Sequence, residues 1–240
     1  PPPLRWLWKL ILNLVILNIR PARSARAYKT IWGSMGDGSP LLDVSLRQLD
    51  GVAEKVRTRT GDRVEFELGM RYGNPSIASA LKSLQDRYCD RIVVVPLYPQ
   101  YAAATTASTV DAVSAELQTW RWVPEMRFVN HYYTHPSYIR ALANSVREYQ
   151  AEHGKPELLL TSYHGVPKRY IDNGDPYYCE CSHTTMLLAQ ELGLTENECR
   201  LSFQSIFGRE EWLKPYTEAT LKALPEQGVR NVQILCPGFS

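Results

Sequence analysis

Residues 157–178 read ELLLTSYHGVPKRYIDNGDPYY, and the fold follows from how this stretch is parsed. Leu158, Leu159 and Leu160 form an apolar run without alternation, which is how a strand covered on both faces reads. The run ends at His164, because a Gly-x-Pro step follows and a proline cannot donate to a strand ladder. A single imidazole thus stands at the mouth of a buried strand, ahead of a long polar loop. Locally, a histidine that merely hydrogen-bonds the strand end fits as well as a functional one.

Working outward, strand and helix signals alternate from residue 64 onward. VEFELGM (64–70) places Val64, Phe66, Leu68 and Met70 at a period of two. NPS (74–76) predicts a helix start, with Asn74 as cap, Pro75 in the first turn and a stripe of Ile77, Leu81, Leu84 and Tyr88. RIVVVPLYP (91–99) reads as a fully apolar strand. Val110, Val113, Leu117 and Trp120 form the next helical stripe, and MRFVN (126–130) a short strand. A helix carrying Ile139, Leu142, Val146 and Tyr149 precedes the opening stretch. A helix near 183–192 then precedes the strand RLSFQS, and one near 216–227 separates it from the strand NVQILCP. Near-continuous apolar strands alternating with helices predict an α/β fold with parallel sheets flanked by helices.

The chain has 240 residues, 44% hydrophobic and 22% charged, which is globular composition with enough material for a core. Its net charge of +2 argues against a nucleic-acid partner. The charge is uneven: Arg5, Lys9, Arg20, Arg23, Arg26 and Lys29 are unopposed by any acid in residues 1–32. The apolar segment LRWLWKLILNLVILNIR is interrupted by Lys9, Asn13 and Asn18, too much for a comfortable transmembrane helix, and no signal-peptide cleavage pattern follows it. Residues 4–29 suit peripheral contact with a membrane surface, or a helix packed on the core. Cys89, Cys179, Cys181, Cys199 and Cys236 are odd in number and scattered, which predicts reduced thiols and a cytoplasmic setting. Cys179, Cys181 and His183 form C-x-C-x-H, which departs from the C-x₂₋₄-C pairs of structural zinc sites and has no second pair.

In sheets of this type ligands sit beyond the carboxyl ends of the strands. The segments there are RYGNPS, LYPQYAAATT, YHGVPKRY, SIFGREEWLKP and PGFS. They are rich in aromatics, among them Tyr72, Tyr98, Tyr101, Tyr170 and Trp212, and carry the cations Arg71, Lys168 and Arg169. Neither a dinucleotide fingerprint nor a phosphate loop is present, which disfavours a nucleotide. Aromatic walls with a few cations suit a large, flat, apolar ligand bearing carboxylates, such as a porphyrin.

MRYGNPSI, PLYPQYAAATTAST, SYHGVPKRYIDNGDPYY and FQSIFGREEWLKPYTEATLKALPEQGVRNVQILCPGFS closely resemble the ferrochelatases of proteobacteria, in order, from about residue 4 to residue 240. The resemblance implies two Rossmann-like lobes, a class II chelatase-like fold, with residues 1–130 as the first lobe and 131–240 as the second. It implies insertion of ferrous iron into protoporphyrin IX, the last step of haem synthesis, with iron as substrate and no prosthetic group. A chelatase for another metal or tetrapyrrole (cobalt, coproporphyrin) and a porphyrin- or haem-binding module without turnover are the alternatives.

On the same resemblance, His164 matches the active-site histidine, which contributes to metal binding and to removal of the pyrrole protons. Arg71 and Tyr72 match a pair lining the cleft, Tyr101 a tyrosine on the metal-facing side, and Trp212 a wall aromatic that holds the macrocycle bent. Lys168 and Arg169 are candidates for the propionates. The family pattern continues past CPGFS to a glutamate facing the histidine, and it begins with a strand not seen here. The sequence is therefore expected to lack both ends of the enzyme and to be inactive by itself.

Overall fold

A computed structural model describes residues 39–238, together with Asn13, Ala25, Arg26, Lys29, Thr30 and Trp32. Residues 4–29 therefore lie, apart from four positions, outside the described residues. The chain separates into two compact units, Pro1–Arg87 and Tyr88–Ser240. In the first, α1 (Pro40–Thr60) ends at Gly61, whose φ of 70° suits a residue without a Cβ and whose N–H returns to the Arg57 carbonyl at 2.8 Å. Residues 64–70 then run extended. The predicted period of two holds in burial, since Val64, Phe66, Leu68 and Met70 are half-buried while Glu65 and Glu67 are paired with Arg87. No described strand pairs with this segment; only Met70 bridges to Ser76.

The next helix, α2 (Ile77–Asp86), starts later than the sequence predicts. Ser76, not Asn74, is its cap, because the Pro75 carbonyl is already bonded by the Met70 N–H and the Ser76 hydroxyl accepts from the Ser79 N–H. The helix also stops short of Tyr88, which adopts φ 57° and is 90% exposed, so it leaves the predicted stripe.

In the second unit β1 (Arg91–Val94) pairs in parallel with β2 (Glu125–Phe128). A single π turn at Ala103–Ala107 and α3 (Ser108–Leu117) connect them. Full burial of β1 does not hold: Ile92 is buried but Val93 is 59% exposed, since β2 is the only described strand beside it. After β2 come α4 (Pro136–His153), β3 (Leu158–His164), the short α5 (Lys168–Asp172), α6 (Tyr177–Leu192), β4 (Cys199–Gln204), α7 (Thr217–Ala223) and β5 (Val232–Leu235). The strands form a parallel sheet in the order β4-β3-β5, the mixed α/β architecture that the sequence predicts.

β3 is the central strand, and every residue from Leu158 to Tyr163 is buried. On one face Leu159 packs with Ala143 and Val146 of α4 and with Leu188 of α6. Farther along that face, the Tyr163 hydroxyl meets Thr185 of α6 at 3.1 Å, in a cluster with Phe203 and Leu213. The alternate residues face α7: Ser162 and Ser202 each reach the Thr217 hydroxyl, at 2.8 and 2.9 Å. Each fully buried leucine contributes about 1.5–3 kcal/mol by leaving water. Two helix boundaries differ from expectation. α6 begins at Tyr177 rather than near 183, because Asp175 accepts the Tyr177 N–H at 3.1 Å. α7 gives way to a 3₁₀ turn at Pro225–Gln227, since Pro225 has no N–H to continue the ladder.

Candidate active site

The central strand delivers His164 to its carboxyl end, opposite Gln204 in the β3–β4 register. Here the pleat turns Ser162 and His164 to the α7 face, and the burial that encloses Tyr163 ends at the exposed imidazole. Its Nδ1 lies 2.8 Å from the Gly165 carbonyl oxygen. A carbonyl can only accept, so Nδ1 carries the proton and Nε2 is left with a lone pair. The ring is thereby set as a base or metal ligand through Nε2. The strand end is itself held, as the Tyr177 hydroxyl donates to the His164 carbonyl at 3.0 Å. Burial pushes the Tyr177 phenol far up, which keeps it a neutral donor.

Beyond His164 the chain turns alongside residues 211–213. Gly165 N–H bonds the Gln204 carbonyl at 2.7 Å, Leu213 N–H the Val166 carbonyl at 3.0 Å, and Lys168 N–H the Glu211 carbonyl at 2.9 Å. Pro167 and Trp212 form an antiparallel bridge within this ribbon. The pairing brings Trp212 beside the strand tip that carries His164. The indole Nε1–H is buried and has no acceptor among the described residues. Lys168 is paired with Asp172 at 2.6 Å and Arg169 with Glu210 at 2.7 Å, which holds both cations at exposed positions. Exposed ion pairs of this kind hold weakly, because solvent screens them and both side chains lose freedom in forming them.

Tyr101 lies in the segment between β1 and α3, half-buried. Its backbone N–H is accepted by the Glu180 carboxylate of α6 at 2.7 Å, and the Ala103 N–H by Asp175 at 2.8 Å. Gln100, 2% exposed, bonds the Thr184 hydroxyl at 3.0 Å. Glu180 and Gln100 were not legible as site-forming residues. The one signal was a carboxylate falling among the apolar positions of a helix face, where Tyr177, Cys181, Thr184 and Leu188 are buried with it. Arg71 and Tyr72 belong to the first unit, where the guanidinium lies 4.7 Å from the centre of the Tyr72 ring. The tyrosine is 80% exposed. Cys179 is exposed and Cys181 buried, so the two thiols of the C-x-C-x-H stretch face different sides of α6.

A parallel α/β sheet thus carries a histidine at its central strand tip, with an indole beside it and a tyrosine in a segment tied to α6, which defines an α/β protein with a candidate ligand site beyond the carboxyl ends of its strands. The family model described as Ferrochelatase matches residues 1–240. The chain belongs to the ferrochelatase family. It is 70% identical over its whole length to the Ferrochelatase of Hydrogenovibrio crunogenus, and it spans 64% of that relative's length. It is 51% identical to Ferrochelatase 2 of Shewanella oneidensis, with 98% of this chain and 71% of the relative covered. The Ferrochelatase of Marinobacter nauticus is 50% identical over 98% of this chain and 63% of its own length.

Proposed function

We propose that this chain forms the porphyrin- and metal-handling part of an enzyme that inserts ferrous iron into protoporphyrin IX, the terminal step of haem synthesis. The observation that carries the reading is the Nε2 lone pair of His164, exposed at the tip of a buried parallel strand. Insertion displaces two pyrrole N–H protons, so a base is needed near neutral pH, and imidazole titrates there. Imidazole also binds Fe²⁺, and few protein donors allow the metal to move on into the ring. Through its one Nε2 lone pair His164 acts in turn, as the protein's metal ligand and as the base for one pyrrole proton, the other proton passing to water, and iron is a substrate rather than a prosthetic group.

Trp212 supplies the wall that holds the macrocycle bent, which tilts pyrrole lone pairs out of the ring plane. Arg71, Tyr72 and Tyr101 are assigned to substrate binding, and Lys168 and Arg169 to the propionates, for which their present carboxylate partners are stand-ins. The division into lobes at 130/131 belongs to the same reading. What supports it is the change from the β1–β2 sheet to the β4-β3-β5 sheet between Phe128 and Leu158, although both sheets belong to the compact unit Tyr88–Ser240. Among the described residues no helix is long and apolar enough to cross a membrane. We place the protein in the cytoplasm, with residues 4–29 touching the inner membrane face.

The test uses the full-length protein containing this chain. Iron, zinc and cobalt insertion into protoporphyrin and coproporphyrin are measured for the wild type and for His164→Ala. The expected result is activity with protoporphyrin that is abolished in the variant, while porphyrin binding, read by fluorescence quenching, persists. Preference for coproporphyrin or cobalt would select the other chelatase reading. Binding without turnover in the wild type would reduce the protein to a porphyrin-binding module.

A further inference from the structure

We propose that Glu180 is a positioning residue for metal insertion: the start of α6 sets Tyr101 in place relative to His164 by gripping the backbone of both. The inference rests on the functional reading of those two residues. α6 begins where the two segments meet. From Tyr177, the phenol donates to the His164 carbonyl at 3.0 Å; from Glu180, the carboxylate accepts the Tyr101 N–H at 2.7 Å. Just ahead of the helix, Asp175 accepts the Ala103 N–H at 2.8 Å. Residues 101 and 103 are alternate positions, so in extended chain their N–H groups point the same way, here toward α6. Gln100 adds a third tie, to Thr184 one turn beyond Glu180.

The grip is strong for a physical reason. Glu180 is 4% exposed, and a buried carboxylate is costly unless its oxygens are satisfied. Oε2 takes the Tyr101 N–H, and Oε1 meets His131 Nδ1 at 2.7 Å. Charge-assisted bonds of this type are roughly twice as strong as neutral ones. Among the described residues the Tyr101 segment has no strand ladder, and the Tyr101 and Ala103 N–H groups are accepted instead by the side chains of Glu180 in α6 and of Asp175 just ahead of it. Without Glu180, the Tyr101 ring loses its fixed placement while His164, held by β3 and Tyr177, keeps its own. A metal-facing tyrosine that wanders should weaken metal use more than porphyrin binding.

Glu180→Leu removes the acceptor and Glu180→Gln retains one, so the two separate the bond from the bulk of the side chain. In full-length protein, Glu180→Leu should speed hydrogen exchange of the Tyr101 amide and raise the KM for zinc, each about tenfold. The KM for porphyrin should stay within about twofold, and Glu180→Gln should restore most of both effects. In a Tyr101→Ala background, Glu180→Leu should cost nothing further. Asp175→Ala, at a less buried position, should release the Ala103 amide and shift the zinc KM in the same direction even where Glu180→Leu does not fold. Unchanged exchange at Tyr101, equal rises in both KM values, or a further loss in the Tyr101→Ala background would each overturn the proposal. A wild-type protein without insertion activity would sink the functional reading itself, and exchange at Tyr101 would still decide whether Glu180 is the clamp.

Discussion

The Trp212 indole occupies the space that a side chain at Gly165 would need, across the ribbon that follows β3. A Cβ added at Gly165 would lie 3.3 Å from Trp212 Cε3 and 2.9 Å from the Gln204 carbonyl oxygen. The carbonyl is backbone and already accepts the Gly165 N–H, so it cannot step aside. The absence of a side chain at this position is what lets the indole lie beside the histidine-bearing strand tip.

Gly165→Ala should therefore displace Trp212 rather than leave it in place. The overpacking cost is ~1–3 kcal/mol. Insertion activity should fall by more than the loss of folded protein explains, measured by thermal unfolding alongside zinc-porphyrin fluorescence. Wild-type kinetics in a destabilised variant would show that the indole's position does not matter to turnover.

Truncating the core behind the site should act on stability. Phe203 is fully buried between Tyr163 and Tyr178. Phe203→Ala should cost ~3–5 kcal/mol, read from denaturant midpoints. A cost below about 1 kcal/mol would mean that the cluster under β4 collapses around the gap.

Glu157 provides a pH-dependent contribution at the entrance of β3. Its carboxylate accepts the N–H groups of Arg230 at 2.6 Å and Asn231 at 2.8 Å, and these bonds hold it below the ordinary carboxylate range. A depressed pKa in the folded state adds stability that is complete above the unfolded value and disappears as pH falls through the folded one. Glu157→Gln should lower Tm at neutral pH, with the difference closing once the pH drops below the carboxylate range. A constant difference at all pH values would show that the charge plays no part.

The thiols should separate by environment. Burial pushes Cys199 up to about 11 and Cys181 well above the ordinary thiol value, whereas Cys179 and Cys236 are exposed. Brief alkylation of native protein at mildly alkaline pH, followed by mass spectrometry, should mark Cys179 and Cys236 first. Early labelling of Cys181 would mean that the first turns of α6 open in solution, against their role as a clamp.

Much of the scaffold was legible because it is written locally. The unbroken run Leu158–Leu160 marked a strand covered on both sides, and the Gly-x-Pro step marked its end at His164. Spacing of apolar residues placed α4 and its neighbouring strands, and α3 as far as Leu117, where the helix ends short of the predicted Trp120. Errors fell where one distant or side-chain contact moved a boundary. Asp175 starts α6 at Tyr177, Ser76 replaces Asn74 as a cap, and residues 64–70 alternate correctly without acquiring a strand partner. α1 carried no signal that was read as a helix.

The sequence by itself determined the parallel α/β scaffold, the family and the one imidazole at the central strand tip. A period of two or of 3.6 residues encodes which side of an element is apolar, and four ordered motifs encode common descent. Only the tertiary structure decided that Nδ1 of His164 is the protonated nitrogen, that Trp212 returns beside the strand tip, and that Glu180 grips the Tyr101 backbone. The last contact joins residues 79 positions apart. Such pairs depend on the path of the whole chain, since a buried carboxylate takes whichever N–H the packed helix presents to it.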